Sequence, residues 1–148
     1  MIEPLRLAYD VACPAPHAWD VWTTKFSLWW PKGHTTSGDP DAAVTFEPRI
    51  GGRVFERTSS GEEIDWGEVT KWEPPTHLAY TWHIGHDASE ATLVELAFVA
   101  VGDHATRLEI VQTGFENLGD VGFAYREGNT AGWGALVPTF IAAATATA

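Results

Sequence analysis

One cysteine and one methionine are all the sulfur this chain of 148 residues contains. Cys13 has no partner within the chain, so an intrachain disulfide is excluded and a reducing compartment suits it. Its simplest role is that of a small buried apolar side chain. Basic residues are scarce as well: nine Lys and Arg stand against twenty Asp and Glu, for a net charge of −11. Nucleic acids and anionic membranes call for a basic stripe, so neither is expected as a partner. Only Arg49, Arg53 and Arg57 fall close together, and Glu47 and Glu56 accompany them. Long apolar runs are missing. The longest, Ala131 to Ala144, contains glycine, proline and threonine and is too short to span a bilayer. Glu3, Arg6 and Asp10 interrupt the start, which excludes a signal peptide there, and the chain reads as soluble and cytoplasmic. Neither a G-x-G-x-x-G, a Walker loop nor a G-x-S-x-G occurs, so no cofactor is expected.

What the chain has in excess is tryptophan, eight residues spread from Trp19 to Trp133. Such rings fill a core or wall a cavity for a flat apolar ligand. At this length the chain is most simply one domain, residues 1–148, able to bury roughly 70% of its unfolded surface without a staple.

Leu5, Leu7, Tyr9 and Val11 alternate with polar or small residues, which predicts a strand. Pro14 and Pro16 end it, and Pro16 can open a helix carrying Ala18, Trp19, Val21, Trp22 and Phe26. A second short helical piece runs to Trp29–Trp30 and stops at Pro31–Lys32–Gly33. Period-two segments follow at 43–46, 53–58, 64–72, 77–84, 91–101 and 106–113, separated by glycine- and proline-rich turns. After Gly114 the spacing becomes helical, and Phe123, Arg126, Thr130, Trp133, Val137, Phe140 and Ile141 share a face. Gly132 and Gly134 flank Trp133 and would allow close backbone approach to a packed partner; 142–148 is expected to fray. A sheet of about seven antiparallel strands must curl to bury one face, and only the C-terminal helix is long enough to cover it. The expectation is an α+β fold, a curved sheet gripping that helix, with the two short helices closing one end.

This order resembles the helix-grip (START-like) superfamily and, within it, the domain named after the activator of Hsp90 ATPase. The matching residues are Val21–Trp22 with Trp29–Trp30–Pro31, Phe46 to Val54, Gly67 to Pro75, Leu78 with Tyr80–Thr81–Trp82, Thr106–Arg107–Leu108, Gly114–Phe115 and Gly132–Trp133. The resemblance implies the fold. It implies less about activity, because the superfamily includes lipid carriers, hormone receptors, polyketide cyclases and co-chaperones. The co-chaperones carry a separate Hsp90-binding domain that does not precede this one, so an Hsp90 function is not expected to transfer.

Inward parities define a candidate chamber between sheet and helix. The residues expected to line it are Trp30, Phe46, Phe55, Trp66, Tyr80 and Trp82, together with Phe98, Gln112, Trp133 and Val137. Aromatic walls with a few fixed polar groups are the form of a small-molecule site; the alternative is a filled core in which Gln112 bonds a neighbour. The expected ligand is a small apolar or aromatic molecule, with a homodimer left open. A catalytic alternative, of cyclase or dehydratase type without a cofactor, needs titratable groups, of which Glu68 is the weak candidate and Arg126 a rim residue. Glu68 shares a parity with Ile64, Trp66, Thr70 and Trp72. If it faces inward it is a general base with a raised pKa; if outward, Trp66 follows it unless a bulge at Gly67 separates them. A third reading is a protein-interaction domain, with Trp29–Trp30–Pro31 as its exposed apolar patch. His83 and His86 with Asp87 lack a third ligand, so no metal site is expected, and His34 is read as a solvent-exposed loop residue.

Overall fold

A computed structural model describes residues 2–148. Strand β1 (Leu5–Val11) leads into helices α1 (Ala15–Thr23) and α2 (Phe26–Trp29). Strands β2 (Ala43–Phe46), β3 (Arg53–Arg57), β4 (Glu63–Glu73), β5 (His77–Trp82), β6 (Thr92–Ala100) and β7 (Thr106–Thr113) follow, and helix α3 (Gly122–Ala146) closes the chain. The sheet has seven strands in the order β1-β7-β6-β5-β4-β3-β2, every neighbouring pair antiparallel. The two edge strands, β1 and β2, are joined by the α1–α2 segment, which crosses one end of the curved sheet.

Alternation places the inner face as expected. Leu78, Tyr80 and Trp82 on β5, Val94, Leu96 and Phe98 on β6, and Thr106, Leu108, Ile110 and Gln112 on β7 are all buried. Helix α1 begins with proline in its first turn and buries Ala18, Trp19, Val21 and Trp22 against the same core. Cys13 is buried beside it, its backbone carbonyl accepting from the Thr106 hydroxyl at 2.8 Å, and burial pushes its thiol pKa up. Among the described residues no helix is long and apolar enough to cross a membrane.

Helix α3 departs from the expected face in three places. Phe123 and Thr130 are exposed; the covered stripe runs through Gly122, Trp133, Val137, Phe140 and Ala144. The end does not fray at 142: the helix continues to Ala146, Ala144 is buried, and the His17 ring meets the Thr147 hydroxyl at 2.9 Å. Arg126 is no rim residue. It donates to the carbonyls of Glu3 and Pro4 at 2.7 and 3.0 Å and ties the N-terminal segment to α3.

Strand β4 resolves the register question through a bulge. Val54 pairs with Gly67 and Phe55 with Asp65, leaving Trp66 as the extra residue. Trp66 and Gly67 are therefore both buried, and Glu68 is exposed. The Thr81 hydroxyl accepts from the Glu68 amide at 2.9 Å, and the Trp66 carbonyl from the His83 amide at 2.7 Å. A Cβ on Gly67 would lie 1.7 Å from the Thr81 carbonyl oxygen, so only glycine admits this approach. Gly67→Ala is expected to lose roughly 2–4 kcal/mol of unfolding free energy in urea titration; a loss below about 0.5 kcal/mol would show that the bulge relaxes without difficulty.

Candidate functional site

A cleft of about 240 Å³ opens between the sheet and α3. Trp30, Trp82 and Ile84 form one wall; Tyr125, Asn129 and Trp133 project from the helix to form the other. Between the helix side chains lie Gly128 and Gly132, one turn apart. The sequence suggested close backbone packing at Gly132 and Gly134, and the structure corrects this. A Cβ at Gly128, Gly132 or Gly134 would meet nothing within 4 Å, and none of the three has a positive φ. Each costs the helix about 1 kcal/mol relative to alanine without a steric reason. Gly128 and Gly132 keep the cleft floor free of side chains; nothing in the structure explains Gly134.

The cleft walls are fixed by buried hydrogen bonds. Trp133 Nε1 donates to Gln112 Oε1 at 2.9 Å. The Gln112 amide in turn donates to Thr92 Oγ1 at 2.9 Å and to Asn129 Oδ1 at 3.3 Å. Gln112, fully buried, thus joins sheet to helix; it does not line the cleft, and its bonds to neighbours are those of the alternative reading, a core residue. Trp30 Nε1 donates to the His34 carbonyl at 2.7 Å, which ties this wall to the loop at 31–42. His34 itself is exposed. Trp82 meets Trp30, Trp66 and Tyr80 at ring distances of 5.4–5.8 Å, while Trp133 stacks on Trp22 at 6.0 Å. Burial pushes up the pKa of the Tyr125 phenol at the cleft wall, against a smaller lowering by Asn129.

Of the residues expected to line one chamber, Trp30, Trp82 and Trp133 reach the cleft. Gln112 orients it from behind, and Val137 is buried in the core beside it. Phe46 packs between Phe26 and Tyr80, each ring 5.1 Å away, and Phe98 lies under α1 against Trp19 and Trp22. Trp66 and Tyr80 are buried behind Trp82. Phe55 is a correction: Val54 and Glu56 hold the inward parity of β3, and Phe55 is buried on the opposite face, covered by the Arg53 guanidinium 4.1 Å from its ring centroid. Glu68 is a second correction, since the bulge turns it to solvent and removes it as a general base. Trp29 and Trp30 are buried, which withdraws the exposed tryptophan patch on which a protein-interaction reading rested. His83 and His86 are used locally, the His83 ring meeting the His86 carbonyl at 3.0 Å. Among the described residues no three His, Cys, Asp or Glu side chains are placed to hold a metal ion.

Sequence reasoning missed Glu56. Set between arginines it reads as a surface ion pair, yet it is fully buried. Its carboxylate accepts from Trp66 Nε1 at 2.9 Å, the Thr36 amide at 2.6 Å and Ser37 Oγ at 2.7 Å. It therefore anchors the 31–42 loop and orients Trp66 behind Trp82. Burial raises its pKa, but the hydrogen bonds outweigh burial and hold it below the usual glutamate value. The signal available was parity with Val54. Because the folded pKa is depressed, the contribution to stability is complete above the ordinary glutamate range and is lost as pH falls through the folded value. Glu56→Gln is expected to unfold about 1–3 kcal/mol more easily in urea at neutral pH, with the gap to the unsubstituted protein narrowing in acid. A gap that stays constant with pH would contradict an ionised, hydrogen-bonded Glu56.

No curated protein matches the chain. Among solved structures, an anthrahydroquino-gamma-pyrone synthase, solved as a complex, is 32% identical over 83% of this chain and 84% of its own, with a TM-score of 0.60. A protein from Mesorhizobium loti is 20% identical, with 94% of each chain covered and a TM-score of 0.68. An HSP90 activator from Plasmodium falciparum is 16% identical over 75% of this chain and 72% of its own, with a TM-score of 0.54. The latter two share the fold alone. The profile of the family described as activator of Hsp90 ATPase homolog 1-like protein matches residues 12–145, nearly the whole length, and the chain belongs to that family.

Proposed function

We propose that this protein binds a small, flat, largely apolar aromatic molecule in the cleft between the sheet and α3. The observation that carries this reading is the cleft itself: the indoles of Trp30 and Trp82 face a helix that adds a third, Trp133, and gives up two side chains, at Gly128 and Gly132, just where a ligand would lie. Stacking on Trp82 and Trp133 supplies affinity, and Asn129 and Tyr125 orient polar substituents. The 32% identical synthase is named for a fused-ring product, which is the class of molecule such walls suit.

That relationship also favours a second reading, ring closure of an oxygenated aromatic precursor in the same cleft. Glu68 cannot serve it, so the proton-transfer group would be the Tyr125 phenol at the cleft wall. A bound precursor recovered unchanged supports binding alone; one recovered with a new ring supports catalysis.

The binding reading is tested by calorimetric titration with indane, a flat bicyclic hydrocarbon. Gly132→Phe, which adds a ring at a residue lining the cleft, is expected to weaken binding at least about tenfold while the thermal melt stays cooperative. Gly134→Ala, away from the cleft, is expected to leave affinity unchanged and raise stability by about 0.5–1 kcal/mol. Unaltered indane affinity in Gly132→Phe would place the ligand elsewhere.

A further inference from the structure

The two edges of the sheet are finished differently. At β2, Ser27 Oγ donates to the Val44 carbonyl at 3.4 Å and accepts from the Val44 amide at 2.8 Å, so α2 closes that edge. Strand β1 is the longer edge, seven residues against four, and it pairs only with β7. Alternate residues of an antiparallel edge strand turn their N–H and C=O groups away from the sheet. Among the described residues, nothing apart from β7 hydrogen-bonds to the backbone of residues 5–10. Other bonds stop at the strand's ends, where Arg126 meets the Glu3 and Pro4 carbonyls and the Cys13 amide meets the Val11 carbonyl. An edge left in this state is a template for another strand.

The side chains of β1 specify which strand. Burial along Leu5–Val11 reads the same in both directions: Leu5 and Val11 are buried, Leu7 and Tyr9 half-buried, and Arg6, Ala8 and Asp10 exposed. Charge is arranged about the same centre with opposite sign, Arg6 and Asp10 each lying two residues from Ala8. Neither forms an ion pair among the described residues; Arg107, directly opposite Asp10 on β7, pairs with Glu109 at 3.0 Å. Like charges on an edge strand repel a second copy. Here a copy turned end for end brings arginine to aspartate. Arg6, Asp10, Arg107 and Glu109 also cancel, so these side chains add nothing to the excess negative charge of the chain.

We infer that β1 is a self-association edge, pairing antiparallel with β1 of a second copy about a two-fold axis at Ala8. In this register Arg6 lies opposite the partner's Asp10, Asp10 opposite the partner's Arg6, and Leu7 opposite the partner's Tyr9. Ala8, small and exposed, meets its own counterpart at the axis. The two seven-stranded sheets become one continuous sheet. A shift by two residues, the smallest that keeps each side chain on its own face, separates both ion pairs. One short edge buries little surface, and two chains of net charge −11 repel at long range. The dimer is therefore weak, with a dissociation constant on the order of 10–100 μM. Strand β1 contributes no residue to the cleft, so failure of this pairing leaves the cleft reading standing.

Sedimentation equilibrium of the whole chain, from about 10 μM to about 1 mM at physiological salt, tests the pairing. The unsubstituted protein is expected to pass from largely monomer to largely dimer over that range. Arg6→Glu sets acid opposite acid at both positions, and Asp10→Arg sets base opposite base. Each variant alone is expected to dimerise at least about tenfold more weakly. An equimolar mixture of the two variants brings opposite charges together again at both positions. It is expected to associate within about threefold of the unsubstituted protein, and that recovery also shows that both variants fold. A protein still monomeric at about 1 mM overturns the inference. A dimer indifferent to both reversals overturns it too, because such a dimer joins through another surface. A mixture that fails to recover denies the register and overturns it equally.

Discussion

The hydrogen bond from Trp133 Nε1 to Gln112 Oε1 fixes how α3 sits on the sheet. A curved sheet can slide along a smooth apolar helix with little change in buried area, because the hydrophobic effect has no direction. A buried amide does have direction. Gln112 accepts from the helix and donates to Thr92 on β6, and a one-residue slip of α3 would break this chain of bonds and leave buried polar groups unpaired. The same bond holds the Trp133 ring as a cleft wall, so the constraint that orders the fold also shapes the site.

Around that fixed point the protein gives up stability in a localised way. Gly128 and Gly132 weaken the helix where no neighbour requires it. Trp22 Nε1 and Tyr80 Oη stay unpaired one ring behind Trp133 and Trp82. Elsewhere the same polar chemistry is settled with care: Glu56, a carboxylate without solvent contact, is saturated by an indole and a loop and holds Trp66 behind Trp82. The helix's losses at Gly128 and Gly132 thus fall at the cleft, in a core otherwise consistent with its sequence.

Most of the fold was legible because alternation is a strong signal wherever both neighbours of a strand are regular. The inner faces of β5, β6 and β7 came directly from parity, as did the place of Gln112. What was not legible depended on non-local contact. A bulge at Gly67 was one of the alternatives left open for β4; what decides it, burying Trp66 and expelling Glu68, is the close approach of Gly67 to the Thr81 carbonyl, which alternation does not show. Phe55 was placed on the inward parity of β3, but that parity belongs to Val54 and Glu56, and a carboxylate between arginines carries no sign of burial. On α3, helical spacing extended the buried stripe to Phe123, but Gly122 holds the covered position there and Phe123 faces solvent. Of the site, the indole walls were legible; the open shelf at Gly128 and Gly132 was not, because an absent side chain looks the same whether it admits a ligand or a packed neighbour.

The central claim is that Trp82 and Trp133 hold a flat ligand between them, and intermolecular nuclear Overhauser effects in the complex with indane test it most directly. The account predicts contacts from indane protons to both indole rings and to the Gly128 and Gly132 Hα atoms. Contacts confined to exposed apolar residues such as Leu28, Ile50 or Phe123 would contradict it.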